Sequence, residues 1–327
     1  MLYSIIEQAR RLQATDVHLH AGMQPSLRVL GKLQLMDGHM LNSSELQSIS
    51  EEILDDRHRD ELSRKGETDL AITDSTEGRC RINIYQAEGN LSMAIRLIQQ
   101  QVPSCEDLQL PQGILDFVKL RQGLVLVTGP TGSGKSTTLA ALLNKLNQEE
   151  RLHILTLEDP IEYVHLPINS LINQREIGQD TGSFASGLRS ALRQDPDVIM
   201  VGELRDRETM EVALTAAETG HLVFSTLHTM GAVATVDRLI DSFADKGQIR
   251  NQLATCLQGV VSQQLLRKRD GSGRVAAFEI LVATEAMRNL IREGKSYQLS
   301  SYVETGSRYG MITMEKSLQQ LKSRGII

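Results

Sequence analysis

Apolar positions in the first hundred residues recur first with the spacing of a helix and then with that of strands. Residues 3–13 place their apolar side chains on one helical face, which predicts a short amphipathic helix. Alternating apolar and polar residues then predict strands in DVHLH, SLRVL, KLQLM, GRCRINIYQ and LSMAIRLI. A polar, helix-favouring stretch over residues 43–65 separates the two strand groups. The pattern predicts a small α+β domain over residues 1–98.

The second part of the chain has a different pattern. Residues 99–111 show no periodicity and contain Pro103 and Pro111, which predicts a linker. Beyond it, helical patterns alternate with short apolar runs, namely LVLV, HILTL, VIMV and HLVFS. Runs of this kind fit strands that are buried on both faces of a largely parallel sheet. We therefore expect a doubly wound α/β domain over residues 112–327, with a short strand at AAFEIL and a C-terminal helical segment.

Composition narrows the class of function. Lys and Arg total 35 against 41 Asp and Glu, a net charge of −6, and aromatic residues are 3% with no Trp. A nucleic-acid binder normally carries a basic surplus and rings for base stacking, so we expect no nucleic-acid partner. The three cysteines are odd in number and far apart, which fits neither a disulfide framework nor a zinc pair. No signal peptide or membrane-length apolar run is present, which predicts a cytoplasmic protein without direct membrane insertion.

The strongest chemical signal is the run GPTGSGKS at residues 129–136, which follows an apolar run and opens a helical pattern. Its glycines let backbone N–H groups turn toward phosphate oxygens, and Lys135 reaches the outer phosphates. The Ser136 hydroxyl is a ligand for Mg²⁺. The predicted ATP-binding residues are Gly129, Pro130, Thr131, Gly132, Ser133, Gly134, Lys135, Ser136 and Thr137.

Acidic residues follow two further predicted strands. VIMV delivers Glu203 to the carboxyl edge of the sheet, where ligands collect. There it would hold Mg²⁺ together with Ser136, or else be a solvated loop acid. HILTL runs into Glu158, Asp159 and Glu162, which are candidates for the general base that activates water. Simple Asp-Pro turn chemistry is the alternative for this second group.

Two histidines and three arginines complete the candidate residues. His221 and His228 flank the run HLVFS, where they are either catalytic or structural, and metal ligation is the weaker alternative. Arg79, Arg81 and Arg96 lie on one predicted strand pair of the first domain. They are either arginine fingers that act across an interface or the charges of a solvated sheet face.

Taken in order, these motifs resemble those of the secretion and pilus ATPase superfamily. GPTGSGKSTTLAALL is similar to its Walker A, LEDPIEY to its Asp box, RSALRQDPDVIMVGELRD to its Walker B and TAAETGHLVFSTLHT to its His box. TVDRLIDSF fits the same superfamily. The tail segments AMRNLIREGK and GMITMEKSL resemble the type IV pilus retraction ATPases, the PilT type. The resemblance covers nearly the whole chain.

The resemblance implies a RecA-like P-loop core and a smaller PAS-like N-terminal domain, with nucleotide bound between them in a homohexamer. It implies that Glu162 activates water and that Glu158 is a second Asp-box acid. Glu203 becomes the Walker B acid. The remaining implied residues are the His-box pair His221 and His228, and the phosphate or interface sensors Arg79, Arg81 and Arg96.

The function implied is a hexameric motor that hydrolyses ATP with Mg²⁺ to power type IV pilus retraction and twitching motility. Such a motor works at the cytoplasmic face of the inner membrane, through a platform protein and indirectly on pilin. Two alternatives stay open, namely an assembly or secretion ATPase of the same superfamily and a non-hydrolysing accessory regulator that binds nucleotide. A hexameric nucleic-acid translocase is disfavoured by the acidic balance of charge.

Overall fold

The computed structural model divides the chain into two compact units, residues 1–101 and 102–327. It describes four stretches of the chain: residues 1–29, 31–73, 78–98 and 101–327. Leu30 of the predicted strand SLRVL and the first two residues of the predicted linker lie outside them. Residues 102–111 of that linker belong to the second unit, where Cys105 and Leu110 are buried in the core.

The described residues of the first unit form an antiparallel sheet with three helices. Its elements are α1 (Leu2–Arg11), β1 (Asp16–Leu19), β2 (Ser26–Val29), β3 (Lys32–Leu35), α2 (Ser43–Ile53), α3 (Asp56–Lys65), β4 (Glu67–Thr73), β5 (Arg79–Ala87) and β6 (Asn90–Leu97). The six strands pair in the order β3-β2-β1-β6-β5-β4. Ile6 of α1 packs in one core with Ile82 and Ile95 of the sheet. The apolar faces of β1 and β5 are therefore buried, whereas Leu33 and Leu35 of β3 are exposed.

The polar stretch predicted to be helical at residues 43–65 is two helices. Asn42 and Glu45 form a capping box at the start of α2. Asp55 then interrupts the helical run, since its carboxylate accepts a hydrogen bond from the His58 backbone N–H and begins α3. Gly66 closes α3 in the left-handed conformation.

The second unit is a seven-stranded sheet flanked by helices. Its elements are α4 (Gln112–Leu115), β7 (Gly123–Thr128), α5 (Lys135–Glu149), β8 (His153–Glu158), β9 (Leu171–Glu176), α6 (Phe184–Ala191), β10 (Val198–Val201), α7 (Arg207–Glu218), β11 (Leu222–Leu227), α8 (Ala232–Asp241), α9 (Lys246–Cys256), β12 (Leu257–Arg267), β13 (Arg274–Val282), α10 (Glu285–Arg292), α11 (Leu299–Thr305) and α12 (Met314–Ser323). The strand order is β13-β12-β7-β11-β10-β8-β9. All pairs are parallel except β12 with β13.

This topology brings the chemistry to one edge. Every residue of β7, β10 and β11 is buried, as their apolar runs predicted. Because β7, β8, β10 and β11 are parallel, their carboxyl ends meet at the same edge of the sheet. The glycine-rich loop follows β7, Glu158 ends β8, and Glu203 and His228 come after β10 and β11. Within the described part of the chain, no helix is long and apolar enough to cross a membrane.

Candidate nucleotide-binding site

The loop between β7 and α5 has a backbone that requires glycine. Gly129, Gly132 and Gly134 have φ values of 143°, 78° and 88°, a region that favours glycine. A Cβ at Gly129 would lie 2.3 Å from the backbone oxygen of Gln263. Helix α5 begins directly after Gly134, without a side-chain cap. The loop and the helix N-terminus together leave backbone N–H groups available to an anion.

Lys135 is the first residue of α5, and its side chain contacts the loop. Its Nζ donates hydrogen bonds to the carbonyls of Gly129 at 3.0 Å and Pro130 at 3.2 Å. Burial lowers the pKa of Lys135, and the nearby carboxylates of Glu203 and Glu162 partly offset this effect. The amine is therefore held between the loop and two of the predicted strand-end acids.

A cleft of about 420 Å³ opens at this edge of the sheet, a volume typical of small-ligand sites. Most of the predicted phosphate-binding residues line it, together with Glu158, Glu162, Glu203 and His228. The lining members of the loop and of α5 are Thr131, Gly132, Gly134, Lys135, Ser136 and Thr137. The structure thus brings the glycine-rich loop, the acids and one histidine to a single cleft.

The two Asp-box acids differ in environment. Glu158 is 8% exposed, and its Oε1 accepts hydrogen bonds from Thr156 Oγ1 at 2.7 Å and Gln174 Nε2 at 2.9 Å. It also accepts one from the backbone N–H of Glu162, and burial raises the pKa of Glu158. Glu162 is instead exposed in the cleft. Glu158 fixes the turn, and Glu162 presents a carboxylate to solvent.

Glu203 lies between an arginine and a histidine. Arg205 Nε lies 2.6 Å from one of its carboxylate oxygens, and His228 Nε2 lies 3.3 Å from the other. The Glu203 side chain is 12% exposed. Arg205, which Glu203 keeps at a raised pKa, was not among the predicted residues although it stands two positions further on. The signal that marks it is an arginine next to a strand-end acid.

Hydrogen bonds to α8, β12 and β13 anchor the loop that carries His228. The Thr229 and Thr235 hydroxyls lie 2.7 Å apart, and the Gly231 N–H donates to Ser262 Oγ at 3.0 Å. The N–H of the first residue of α8 donates to Glu279 at 2.6 Å. The contact of His228 with Glu203 is therefore set by a fixed loop.

His221 does not reach the cleft. It precedes β11, whereas His228 follows it, so six strand residues, or about 20 Å, separate them. The His221 ring is hydrogen bonded to the Ala216 carbonyl at 3.0 Å, at the end of α7. The expectation that the two histidines act as a pair is corrected here, because they lie at opposite edges of the sheet.

The three arginines lie on the sheet of the first unit. Arg81 of β5 is opposite Arg96 of β6. The Nε of Arg81 is 3.6 Å from Asp69, and the Nε of Arg96 is 3.2 Å from Asp16. Arg79 begins β5, and its carbonyl accepts a hydrogen bond from Ile98. The predicted sensing role of Arg79, Arg81 and Arg96 stays a prediction.

The cleft suits a cation that is bound together with nucleotide. In residues 1–29, 31–73, 78–98 and 101–327, no group of three or more His, Cys, Asp or Glu could hold a metal ion. Ser136 is exposed at the start of α5, and Glu203 supplies one carboxylate in the same cleft. Mg²⁺ is commonly bound through one or two protein oxygens, substrate phosphates and water. Ser136 and Glu203 fit this donor set.

A largely parallel sheet with this loop, and with acids after the neighbouring strands, defines a P-loop NTPase. Residues 4–323 match the family described as "Type II/IV secretion system protein". The chain belongs to this family.

Named relatives span most of the chain. It is 47% identical over 305 residues to a twitching motility protein of Neisseria gonorrhoeae, covering 93% of this chain and 82% of that protein. It is 45% identical over 316 residues to the type IV pilus retractation ATPase PilT of Pseudomonas aeruginosa, covering 96% and 92%. A crystal structure of the pilus retraction motor PilT with bound ADP is similar with a TM-score of 0.93 and 44% identity, covering 99% and 94%. The resemblance read from the motifs and the predicted fold class, a RecA-like core with a smaller N-terminal domain, are confirmed.

Proposed function

We propose that this chain is the ATP-hydrolysing motor of type IV pilus retraction. The observation that carries the proposal is a complete P-loop cleft in a chain that is similar over nearly its whole length to retraction motors. The cleft accounts for hydrolysis, and the similarity to retraction motors indicates which mechanical process the hydrolysis drives. The assembly and secretion ATPases share the same chemistry, so the sequence of the whole chain is what favours retraction.

Phosphate binding falls to the glycine-rich loop. Its N–H groups and the N-terminus of α5 donate to the phosphate oxygens. The Lys135 amine, which donates to two loop carbonyls in the structure, donates to the phosphate oxygens instead when nucleotide binds. These donors also stabilise the charge that develops during phosphoryl transfer. Ser136 and Glu203 would hold Mg²⁺, which when bound neutralises phosphate charge. Thr137 shares a 3.0 Å hydrogen bond with Tyr163, which fixes its hydroxyl beside the loop.

Glu162 is the proposed general base. Its carboxylate is exposed in the cleft and close enough to Lys135 to influence the pKa of the amine. In the proposed step, a water oxygen bonds to the γ-phosphorus as the bond to the β,γ-bridging oxygen breaks. The water proton passes to Glu162, and ADP and phosphate are released. Glu158 acts through the Glu162 backbone, so it is a positioning residue.

His228 and Arg205 orient Glu203 in this account. His228 holds one carboxylate oxygen and Arg205 the other, so the acid has a single orientation. Because the His228 loop is anchored to β12 and β13, a change in the cleft is passed to that strand pair. This is a physical route by which hydrolysis can do mechanical work.

The motor is proposed to act as a homohexamer at the cytoplasmic face of the inner membrane. Its proposed partners are a platform protein and, indirectly, pilin. Arg79, Arg81 and Arg96 stay candidates for phosphate or interface sensors in that assembly. The support for this part is the similarity to named retraction motors.

The test is the ATPase rate of the purified chain against protein concentration, with native mass measured in parallel. The proposal expects Mg²⁺-dependent turnover that rises as hexamers form and is lost in Lys135→Ala. Arg96→Ala tests the interface, and Glu149→Gln, an exposed acid paired with Lys145 on α5, is the matched control. A chain that binds ATP as a monomer and never turns over would instead be the accessory regulator.

A further inference from the structure

Gln263 of β12 belongs to none of the recognised motifs, yet its side chain contacts the glycine-rich loop. It is 3% exposed, and its Nε2 donates to the carbonyl of Ser133 at 2.8 Å. Its Oε1 accepts from Thr138 Oγ1, also at 2.8 Å. A carbonyl oxygen only accepts, so the amide nitrogen must face Ser133. One buried amide thus connects the loop to the first turn of α5.

The backbone around Gln263 fits closely under the same loop. A Cβ at Gly129 would lie 2.3 Å from the Gln263 carbonyl oxygen, and one at Gly134 would lie 2.9 Å from its Nε2. The first and last P-loop glycines therefore both sit against this one residue. By contrast, a Cβ at Gly132 would meet nothing within 4 Å.

The hydrogen bond to Ser133 sets the direction of a neighbouring donor. The peptide between Ser133 and Gly134 is planar and trans, so its N–H points opposite to its C=O. Since the C=O is held against Gln263, the Gly134 N–H points away from β12. Gly134 lines the cleft, where such an N–H is a donor to phosphate.

We infer that Gln263 is a positioning residue for nucleotide binding, which holds the Ser133–Gly134 peptide in the orientation that donates to phosphate. Without Gln263, the Ser133–Gly134 peptide is not held in this orientation before nucleotide binds, so ordering it weakens binding. The inference rests on the proposed function, because it concerns the same cleft. It adds a residue of β12 to a site otherwise built after β7, β8, β10 and β11.

The experiment compares ADP affinity, kcat and KM for ATP, and the melting temperature without nucleotide. Gln263→Met removes both hydrogen bonds at similar length, and we expect the ADP Kd and the KM to rise about tenfold. Thr138→Val should raise both about threefold, whereas Thr138→Ser, which keeps the hydroxyl, should stay within about twofold of wild type. Gln264→Met is the control, because the next strand residue faces the other side of the sheet.

A lower melting temperature with unchanged Kd and KM in Gln263→Met would overturn the inference, since Gln263 would then only stabilise the fold. If Gln263→Met does not fold, the Thr138 pair decides, and equal affinity of its Val and Ser variants overturns the inference. A wild-type chain that binds no ADP contradicts the proposed function and the inference with it. If wild type hydrolyses ATP and Gln263→Met binds ADP with the same affinity as wild type, the inference is overturned while the proposed function stands.

Discussion

Replacing the two Asp-box acids by glutamine should affect different quantities, namely kcat for Glu162 and the melting temperature for Glu158. Glu162→Gln removes the base at constant size, and we expect kcat to fall by about 10²- to 10⁴-fold. Nucleotide affinity should not fall, because the lost carboxylate repels phosphate. Removing one charge from a solvent-facing cleft is worth about 1 kcal/mol, or about a fivefold tighter Kd. The melting temperature should be unchanged, since the side chain is exposed.

Glu158→Gln acts on structure first. The amide oxygen can still accept from Thr156 and Gln174, but the amide NH₂ cannot accept from the Glu162 backbone. Leaving that N–H without an acceptor costs about 1–3 kcal/mol. Since burial raises the pKa of Glu158, part of this cost is offset when no charge is buried. We expect a melting temperature lower by a few degrees and only a modest loss of kcat.

Both quantities can be measured on the same proteins. Single-turnover hydrolysis gives the chemical rate, titration with a fluorescent ADP analogue gives the Kd, and thermal melts give stability. Glu149→Gln serves as the control for a lost exposed charge. Full kcat in Glu162→Gln would refute the assignment. A collapse of kcat in Glu158→Gln with an unchanged melting temperature would make Glu158 the base.

Three further predictions concern the loop, the histidines and pH. Gly129→Ala should abolish ADP binding, because its Cβ meets backbone at 2.3 Å, whereas Gly132→Ala has open space and should retain binding in the same titration. His228→Ala should lower kcat at least about tenfold in steady-state assays, while His221→Ala should leave it unchanged. Burial lowers the pKa of His165 to about 4. The neutral ring therefore contributes stability that is present above pH 6.5 and lost as pH falls toward 4, about 3 kcal/mol in all. The free energy of unfolding of wild type and His165→Phe, measured in urea at both ends of this pH range, checks the prediction. An equal change in this free energy with pH in the two proteins would contradict it.

In the second unit, the sequence predicts those strands whose apolar runs are continuous. β7, β8, β10 and β11 follow from such runs, because both faces of a parallel strand are buried. β12 was not predicted, since it contains Ser262 and Gln263. Both are buried, and their partners lie 31 and 130 residues away along the chain. β9 was missed as well, because LINQRE at the sheet edge carries polar residues on a half-exposed strand.

The residues of the site likewise divide into those that local sequence predicts and those that it does not. Lys135 and Ser136 were predicted because the P-loop is a local motif whose function depends on adjacent residues. The separation of His221 from His228 could have been read from the strand between them, since the two ends of a strand lie at opposite edges. The different environments of Glu158 and Glu162 could not, because Gln174 reaches Glu158 from a strand that the pattern does not reveal.

The central claim, ATP-driven pilus retraction, is tested most directly by imaging dye-labelled pili on the host cell. The account predicts that deletion of the gene leaves pili that extend but do not retract. A wild-type copy should restore retraction, and a Lys135→Ala copy expressed at equal level should not. Continued retraction without the gene would contradict the account, and loss of surface pili would assign the chain to assembly instead.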